Sequence, residues 1–404
     1  MRPNRLESKL RAGAGHRDHD AAARAVAGPR LHQARARRRL GQGLSGVRCA
    51  IRYFALSASI LFAPIAAADD PFARAPASGA RAQSLFDRTV LSVTEGDLVF
   101  PRLSPDGKRL VYADAFVREG VEGTAVYLVD LSTKARRTLL SAAAAEKYRV
   151  AKVFVSGIEW LDGARVLVGL ADGDVGLTEV AFDAATGAIL SERSRELGED
   201  EDPLTASPRL AALRSALIEA FPAWSAEVLE GALRNVCVEV PGRGAILQRD
   251  YAGFDHDVWF VDAQRKTRSR LLSMGAQDTR ALGGGFTLGG QTVFAVAHDT
   301  HAYLFRWSGR GDPEPLARYP RILQRALLEL RYRSSTEAMF LLRLGETYER
   351  GHNPVFRYST RSGLIALSEC RQCSDFDVSA RGDVAVFASW IDGRRQLRVL
   401  RRKN

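Results

Sequence analysis

The sequence predicts an all-β chain: a six-bladed β-propeller with a short helical insertion after blade two. Three observations carry this. A strand–turn–strand unit recurs along the chain, a second hairpin follows each recurrence, and the last turns are separated by a constant step.

The elements follow in order. The 404 residues carry a net charge of +11 and a pI of about 9.8, which by itself suggests a nucleic-acid binder. Residues 1–68, however, hold 13 Lys+Arg against 3 Asp+Glu, leaving 45 against 44 for the other 336 residues. The basic character belongs to the leader, and no nucleic-acid partner is expected.

Residues 1–46 are rich in Arg, Ala and Gly without apolar periodicity and are expected to be a disordered basic extension. Either translation starts later, at Val47, or the extension is an arm for an anionic partner. Residues 47–68 have the order of a secretory signal. Arg48 and Arg52 precede an apolar run from Ala55 to Ile65, and small residues end at Ala68. Cleavage between Ala68 and Asp69 is expected; an uncleaved anchor is the alternative. The apolar run is shorter than the roughly 20 residues that span a bilayer. Arg48 directly before Cys49 does not suit a lipoprotein signal. Export to the periplasm or medium follows, with no membrane span after signal removal. Residues 69–83 are expected to be a flexible linker.

Residues 84–404 are assigned to the propeller. "SLFDRTVLSVTEGDLV" at 84–99 contains a strand, Thr89 to Val93, with no unit of its own. "FPRLSPDGKRLVYADAF" follows, in which Pro105, Asp106 and Gly107 supply a turn between alternating strands. Leu110 and Tyr112 fall on one face, Val111 and Ala113 on the other. The unit returns with turns at Gly163, near Gly244, at Gly290, near Thr336 and at Gly382. The steps are 56, 81, 46, 46 and 46 residues. Second hairpins follow, beginning with "TAVYLVDLSTKARRTLL" and "GLTEVAFDAATGAILSE". Four strands per unit, without intervening helices, are the arithmetic of propeller blades; a two-sheet sandwich would not demand the period.

The step of 81 marks an insertion at 195–233. There Ser207 can cap a helix that starts with Pro208 and carries Leu210, Leu213, Leu217 and Phe221 on one stripe. The last unit has three strands, ending in "RRQLRVLRRKN". Pairing Thr89–Val93 with Arg395–Leu400 completes it and removes two sheet edges.

"FPRLSPDGKRLVYA" followed by "AVYLVDLSTKARRTLL" resembles the TolB-like propeller repeats, most strongly in blade one. The same repeats build the N-terminal propeller of the prolyl oligopeptidase family, which "ILQRDYAGFDHDVWFVDAQRKT" also resembles. In that family the nucleophile sits in a C-terminal α/β-hydrolase domain, whose G-x-S-x-G elbow does not occur in this sequence. The resemblance implies the propeller and not the peptidase.

Candidates for chemistry are few. Cys370 and Cys373 in "ECRQC" are read as a local disulfide or free thiols, with a metal site or a redox pair as alternatives; Cys237 stands apart. His298 and His301 flank Asp299 in a turn, where an ordinary surface turn is favoured over metal ligation. His256 with Asp255 and Asp257, and His352, complete the histidines beyond the leader. Asp375 and Asp377 alternate on an inner strand and are expected to face a solvated channel. No catalytic residue, metal or cofactor is assigned. The expected function is non-catalytic binding of a protein or peptide partner in the cell envelope, by a monomer. The alternative is the propeller part of a serine peptidase whose hydrolase domain is lost or encoded apart.

Overall fold

The computed structural model describes residues 70–76, 80–94, 96–118, 121–148, 153–172, 176–196, 219, 237–250, 255–276, 282–320, 327–344, 353–370, 373–391 and 394–403. The expected extension 1–46, the signal 47–68 with its Ala68/Asp69 cleavage site, and most of the insertion lie outside them.

Among the described residues the chain forms six sheets in sequence order, each built on an antiparallel meander of neighbouring strands, to which the fifth and sixth add one N-terminal strand each. The first holds β3 (Leu98–Leu103), β4 (Arg109–Arg118), β5 (Val121–Asp130) and β6 (Arg136–Leu140). The second holds β7 (Val153–Trp160), β8 (Arg165–Asp172), β9 (Gly176–Asp183) and β10 (Ile189–Glu196). The third comprises β11 (Val238–Val240), β12 (Gly244–Asp250), β13 (Asp255–Asp262) and β14 (Thr267–Ala276). In the fourth are β15 (Leu282–Leu288), β16 (Gln291–His298), β17 (His301–Trp307) and β18 (Glu314–Pro320). The fifth contains β19 (Leu327–Arg333), β20 (Glu337–Arg343), β21 (Val355–Ser359) and β22 (Gly363–Leu367), and the sixth β23 (Cys373–Val378), β24 (Val384–Ile391) and β25 (Arg394–Arg402). A short helix, α1 (Ala142–Ala145), follows β6, with Ser141 Oγ accepting the Ala144 N–H.

The turns explain why these sequences make hairpins. Ser104 Oγ donates to Asp106 Oδ1 at 2.6 Å, the Lys108 N–H donates to the same oxygen at 3.0 Å, and Gly107 takes φ 69°. The second hairpins use an aspartate that ends the third strand. Asp130 Oδ1 accepts the Ser132 hydroxyl and the Thr133 and Ser132 N–H groups, the hydroxyl foremost, which lowers its pKa to about 2. Asp183 Oδ1 accepts the Ala185 and Thr186 N–H groups, and Asp262 Oδ1 the Arg265 N–H, to cap their turns. One turn differs from the expectation. The third sheet's first hairpin turns at 241–243, and Gly244 already opens β12. A Cβ there would lie 1.9 Å from Val261 O, so glycine serves a close strand approach rather than the turn.

Among the described residues the first, fourth, fifth and sixth sheets are apolar on both faces because each stacks on a neighbour on either side. Val111 and Ala113 pack with Val166, Val168 and Val180 of the second sheet, while Leu110 and Tyr112 pack with Val384 and Val386 of the sixth. Alternation along β4 therefore feeds two cores, not a core and solvent. First strands of neighbouring sheets lie side by side: β3 with β7, β11 with β15, β15 with β19, β19 with β23, and β23 with β3.

The N-terminal strand β2 (Phe86–Val93) pairs antiparallel with β25, with Thr89 opposite Leu400 and Val93 opposite Leu397. The last sheet is thus built from both ends of the described chain, as the strand count predicts.

Two boundaries need correction. The stretch 69–83 is not simply a flexible linker. Its β1 (Arg81–Gln83) pairs in parallel with β22 as a fifth strand of the fifth sheet. Upstream, Phe72 is buried against His298, Tyr303 and Phe305, at ring separations of 4.1, 4.9 and 5.6 Å. Apolar burial of one aromatic and the unpaired edge of β22 supply the reason. The insertion also starts later than 195, because Arg195 and Glu196 continue β10 opposite Leu177 and Gly176. Of the expected helix only Glu219 is described, and it is helical.

Candidate functional site

The first strands of the first, fifth and sixth sheets bring together a charged cluster. Period-two alternation puts Asp375 and Asp377 on one side of β23; Arg102 reaches them from β3, Glu329 and Arg331 from β19, and Arg343 from the end of β20. Arg102 Nη1 donates to Asp375 Oδ2 at 3.1 Å, and Arg331 Nη2 donates to Asp375 Oδ1 at 3.2 Å. Arg343 Nη2 stands 3.9 Å from Asp375 Oδ1. The same arginine grips Glu329 through Nε and, at 3.1 Å, through Nη2, and its Nη1 donates to Ser374 O at 3.0 Å. Asp377 Oδ2 accepts the Leu103 N–H at 2.7 Å, and Trp160 Nε1 of the second sheet donates to Arg102 O at 3.1 Å.

The two aspartates differ sharply although only one residue separates them. Burial disfavours both carboxylates. For Asp375 the three guanidiniums outweigh burial and hold its pKa below the usual range. For Asp377 burial wins, with Arg102 and the Leu103 N–H opposing it, and the pKa is pushed up to about 6. The expectation of solvated channel carboxylates is therefore corrected. Asp375 is 5% and Asp377 9% exposed, because arginines from adjoining strands replace water. Chemically, the cluster ties the first, fifth and sixth sheets together. A general base would need a carboxylate open to substrate, and both of these are occupied within the protein.

The remaining candidates separate. His298 and His301 sit opposite each other on β16 and β17 around the turn Asp299–Thr300. His298 lies on the Phe72 ring and 3.6 Å from Asp299, and His301 Nδ1 lies 3.0 Å from Thr300 Oγ1. Among the described residues no three His, Cys, Asp or Glu side chains gather as metal ligands. His352 and the side chains of Asp255 and His256 lie outside the described residues; Asp257 stands 3.7 Å from Arg270. The Cys370 and Cys373 sulfurs are joined, with Cα atoms 5.4 Å apart. Cys237 is a free thiol, its pKa pushed up to about 11, mainly by burial.

A second ionic cluster binds the fifth and sixth sheets. Glu337 on β20 accepts Arg357 Nε at 2.6 Å and the Arg402 guanidinium at 2.6 and 3.1 Å. Among the described residues no helix is long and apolar enough to cross a membrane.

Sequence reasoning missed the arginine partners, Glu337 and Phe72. The ionic partners lie up to 273 positions apart in the chain, so no spacing announces them. Phe72 is a single aromatic among small and polar residues.

No known protein family and no curated protein matches the sequence. Solved structures similar to the chain are β-propeller proteins. The β-propeller domain of the trilobed protease from Pyrococcus furiosus is 13% identical over 75% of this chain and 79% of that one, with a TM-score of 0.30. TolB from Acinetobacter baumannii is 12% identical over 74% and 64%, with a TM-score of 0.34. The acylaminoacyl peptidase of Pyrococcus horikoshii is 13% identical over 74% and 44%, with a TM-score of 0.28, so the chain spans under half of that enzyme. At these values the propeller assignment rests on the strand order and pairing described above.

Proposed function

We propose that the chain is an exported, six-bladed β-propeller that binds a protein or peptide partner in the cell envelope and carries out no catalysis of its own. The observation that carries this reading is the commitment of the inner carboxylates. Asp375 and Asp377, the best-placed candidates for acid–base work, are spent on holding first strands together. In this reading the six sheets are the six blades, and the β2–β25 pairing closes the ring. A ring held this way is a rigid frame, and its function falls to the loops that the frame presents. Export is supported by the order of residues 47–68 and by the near-neutral charge of the remainder.

The test has two arms on protein recovered from periplasmic extract. N-terminal sequencing should return Asp69 as the first residue, and a product still carrying "ARARRRL" would overturn export. Cross-linking and gel filtration should show a partner at fixed stoichiometry, and the purified chain alone should leave peptide amides intact. Co-purification with a separate α/β-hydrolase would decide instead for the peptidase-propeller alternative.

A further inference from the structure

The N-terminal segment and the cysteine pair meet at one loop. From Phe72 on the fourth sheet the segment reaches Ala80, whose N–H donates to Tyr319 Oη at 2.8 Å. It then adds β1 to the fifth sheet and enters the sixth as β2. The transfer from β1 to β2 is made on residues that leave β22. The Ser368 N–H donates to Gln83 O at 3.1 Å. Glu369 Oε1 accepts the N–H groups of both Leu85 and Phe86, the latter at 2.6 Å. The carbonyl of Glu369 accepts the Arg398 guanidinium of β25, the strand on which β2 lands.

Glu369 is chain neighbour to Cys370. Cys370 and Cys373 are 4% and 0% exposed; Cys370 Sγ lies 2.9 Å from Ser389 Oγ of β24, and Cys373 bridges to Asn353. The bridge therefore pins one end of Glu369 to the sixth sheet while β22 holds the other. A single carboxylate oxygen that accepts two successive N–H groups tolerates little backbone drift.

We propose that the Cys370–Cys373 bridge is a covalent latch set during folding: it fixes Glu369 so that its carboxylate captures residues 83–86 and feeds β2 onto β25. Forming the bridge breaks two S–H bonds and makes one S–S bond. The two protons and two electrons pass by thiol–disulfide exchange to a disulfide-bearing oxidant, whose S–S bond breaks and which leaves as its dithiol. Reduced protein would keep its sheets but hold the strap loosely. The biological setting of the latch rests on the export reading. The latch itself is tested on purified protein, so the two fail separately.

The experiment is hydrogen exchange by mass spectrometry on three forms of the full chain: oxidised wild type, Cys370→Ser/Cys373→Ser, and Glu369→Gln. In both variants amides of 80–93 should exchange about tenfold faster, the scale expected for releasing a short closed loop, while β12–β13 and β16–β17 stay unchanged. Equal protection of 80–93 in wild type and the cysteine variant overturns the latch. So does equal acceleration in every sheet, which would make the bridge a general staple. If the cysteine variant does not accumulate folded, wild type refolded and held under dithiothreitol is read by the same criteria. Failure of that form to fold also overturns the proposal, because a latch gates one strap and does not carry the fold.

Discussion

Asp375→Asn and Asp377→Asn should shift stability in opposite directions at neutral pH. Asp375 faces three arginines, and losing one partner of a buried ion pair costs about 3–5 kcal/mol; Asn keeps the shape and one acceptor, so about 3 kcal/mol is expected. Over an unfolding entropy near 0.7 kcal/mol/K for a ring of this size, that is a fall of about 4 °C in Tm. Asp377 has its folded pKa raised to about 6 from an ordinary 3.8. Its contribution is fully present below about 3.8 and is lost as pH rises through 6, an upper bound of about 3 kcal/mol at pH 7. Asn keeps the acceptor for the Leu103 N–H but adds an amide that needs a partner, so a gain of about 1–2 kcal/mol is expected. For Asp375, whose pKa is depressed, the contribution is present above the ordinary carboxylate range and is lost only at lower pH. Calorimetric scans at pH 7.5 and 4.5 should show Asp375→Asn destabilised at both. The Asp377→Asn gain should shrink at pH 4.5. Shifts of the same sign at pH 7.5, or a pH-independent gain for Asp377→Asn, would refute the account of the cluster.

Further outcomes concern the seams. A chain starting at Phe100 loses β2 together with the buried Leu98 and Val99 that open β3 and should aggregate, whereas one starting at Gln83 loses Phe72 and most of β1 and should be weakened by only about 2–4 kcal/mol; urea denaturation separates the two. Glu337→Ala leaves Arg357 and Arg402 without their shared acceptor and should cost about 2–3 kcal/mol at pH 7. The Glu337 pKa is lowered because the hydrogen bonds and charges of these arginines outweigh its burial, so the deficit should fade as pH drops below the ordinary carboxylate range. Replacing residues 199–233 with a short Gly/Ser linker should leave the six sheets folded by circular dichroism and melting.

How much of this was legible in the chain depends on distance. Hairpins announce themselves locally, because Gly107 and the turn-capping Asp130 and Asp183 act within a few residues. The β2–β25 pairing was legible too, since a unit short of one strand and a strand without a unit fit together. The third turn was misplaced because Gly242 and Gly244 flank Arg243, and spacing does not say which one turns. β1 spans only Arg-Ala-Gln and shows no alternation, so its parallel pairing left no pattern. The charged cluster was half visible. The aspartates share one strand, but their arginines come from strands that only tertiary packing makes neighbours.

Ring closure is tested most directly by a cross-link between the chain ends. Arg88 and Arg401 are exposed Cα partners on β2 and β25, with like charges opposed, so their replacement removes a repulsion. The Arg88→Cys/Arg401→Cys variant, oxidised at low protein concentration, should give a monomer bridged internally. Closing a loop of roughly 310 residues should add about 6 kcal/mol on the loop-entropy scale. Intact mass after proteolysis should find the peptides around 88 and 401 joined, with a raised Tm that dithiothreitol abolishes. Unbridged thiols, or bridges only between two chains, would show that the ends do not pair and that the ring is open.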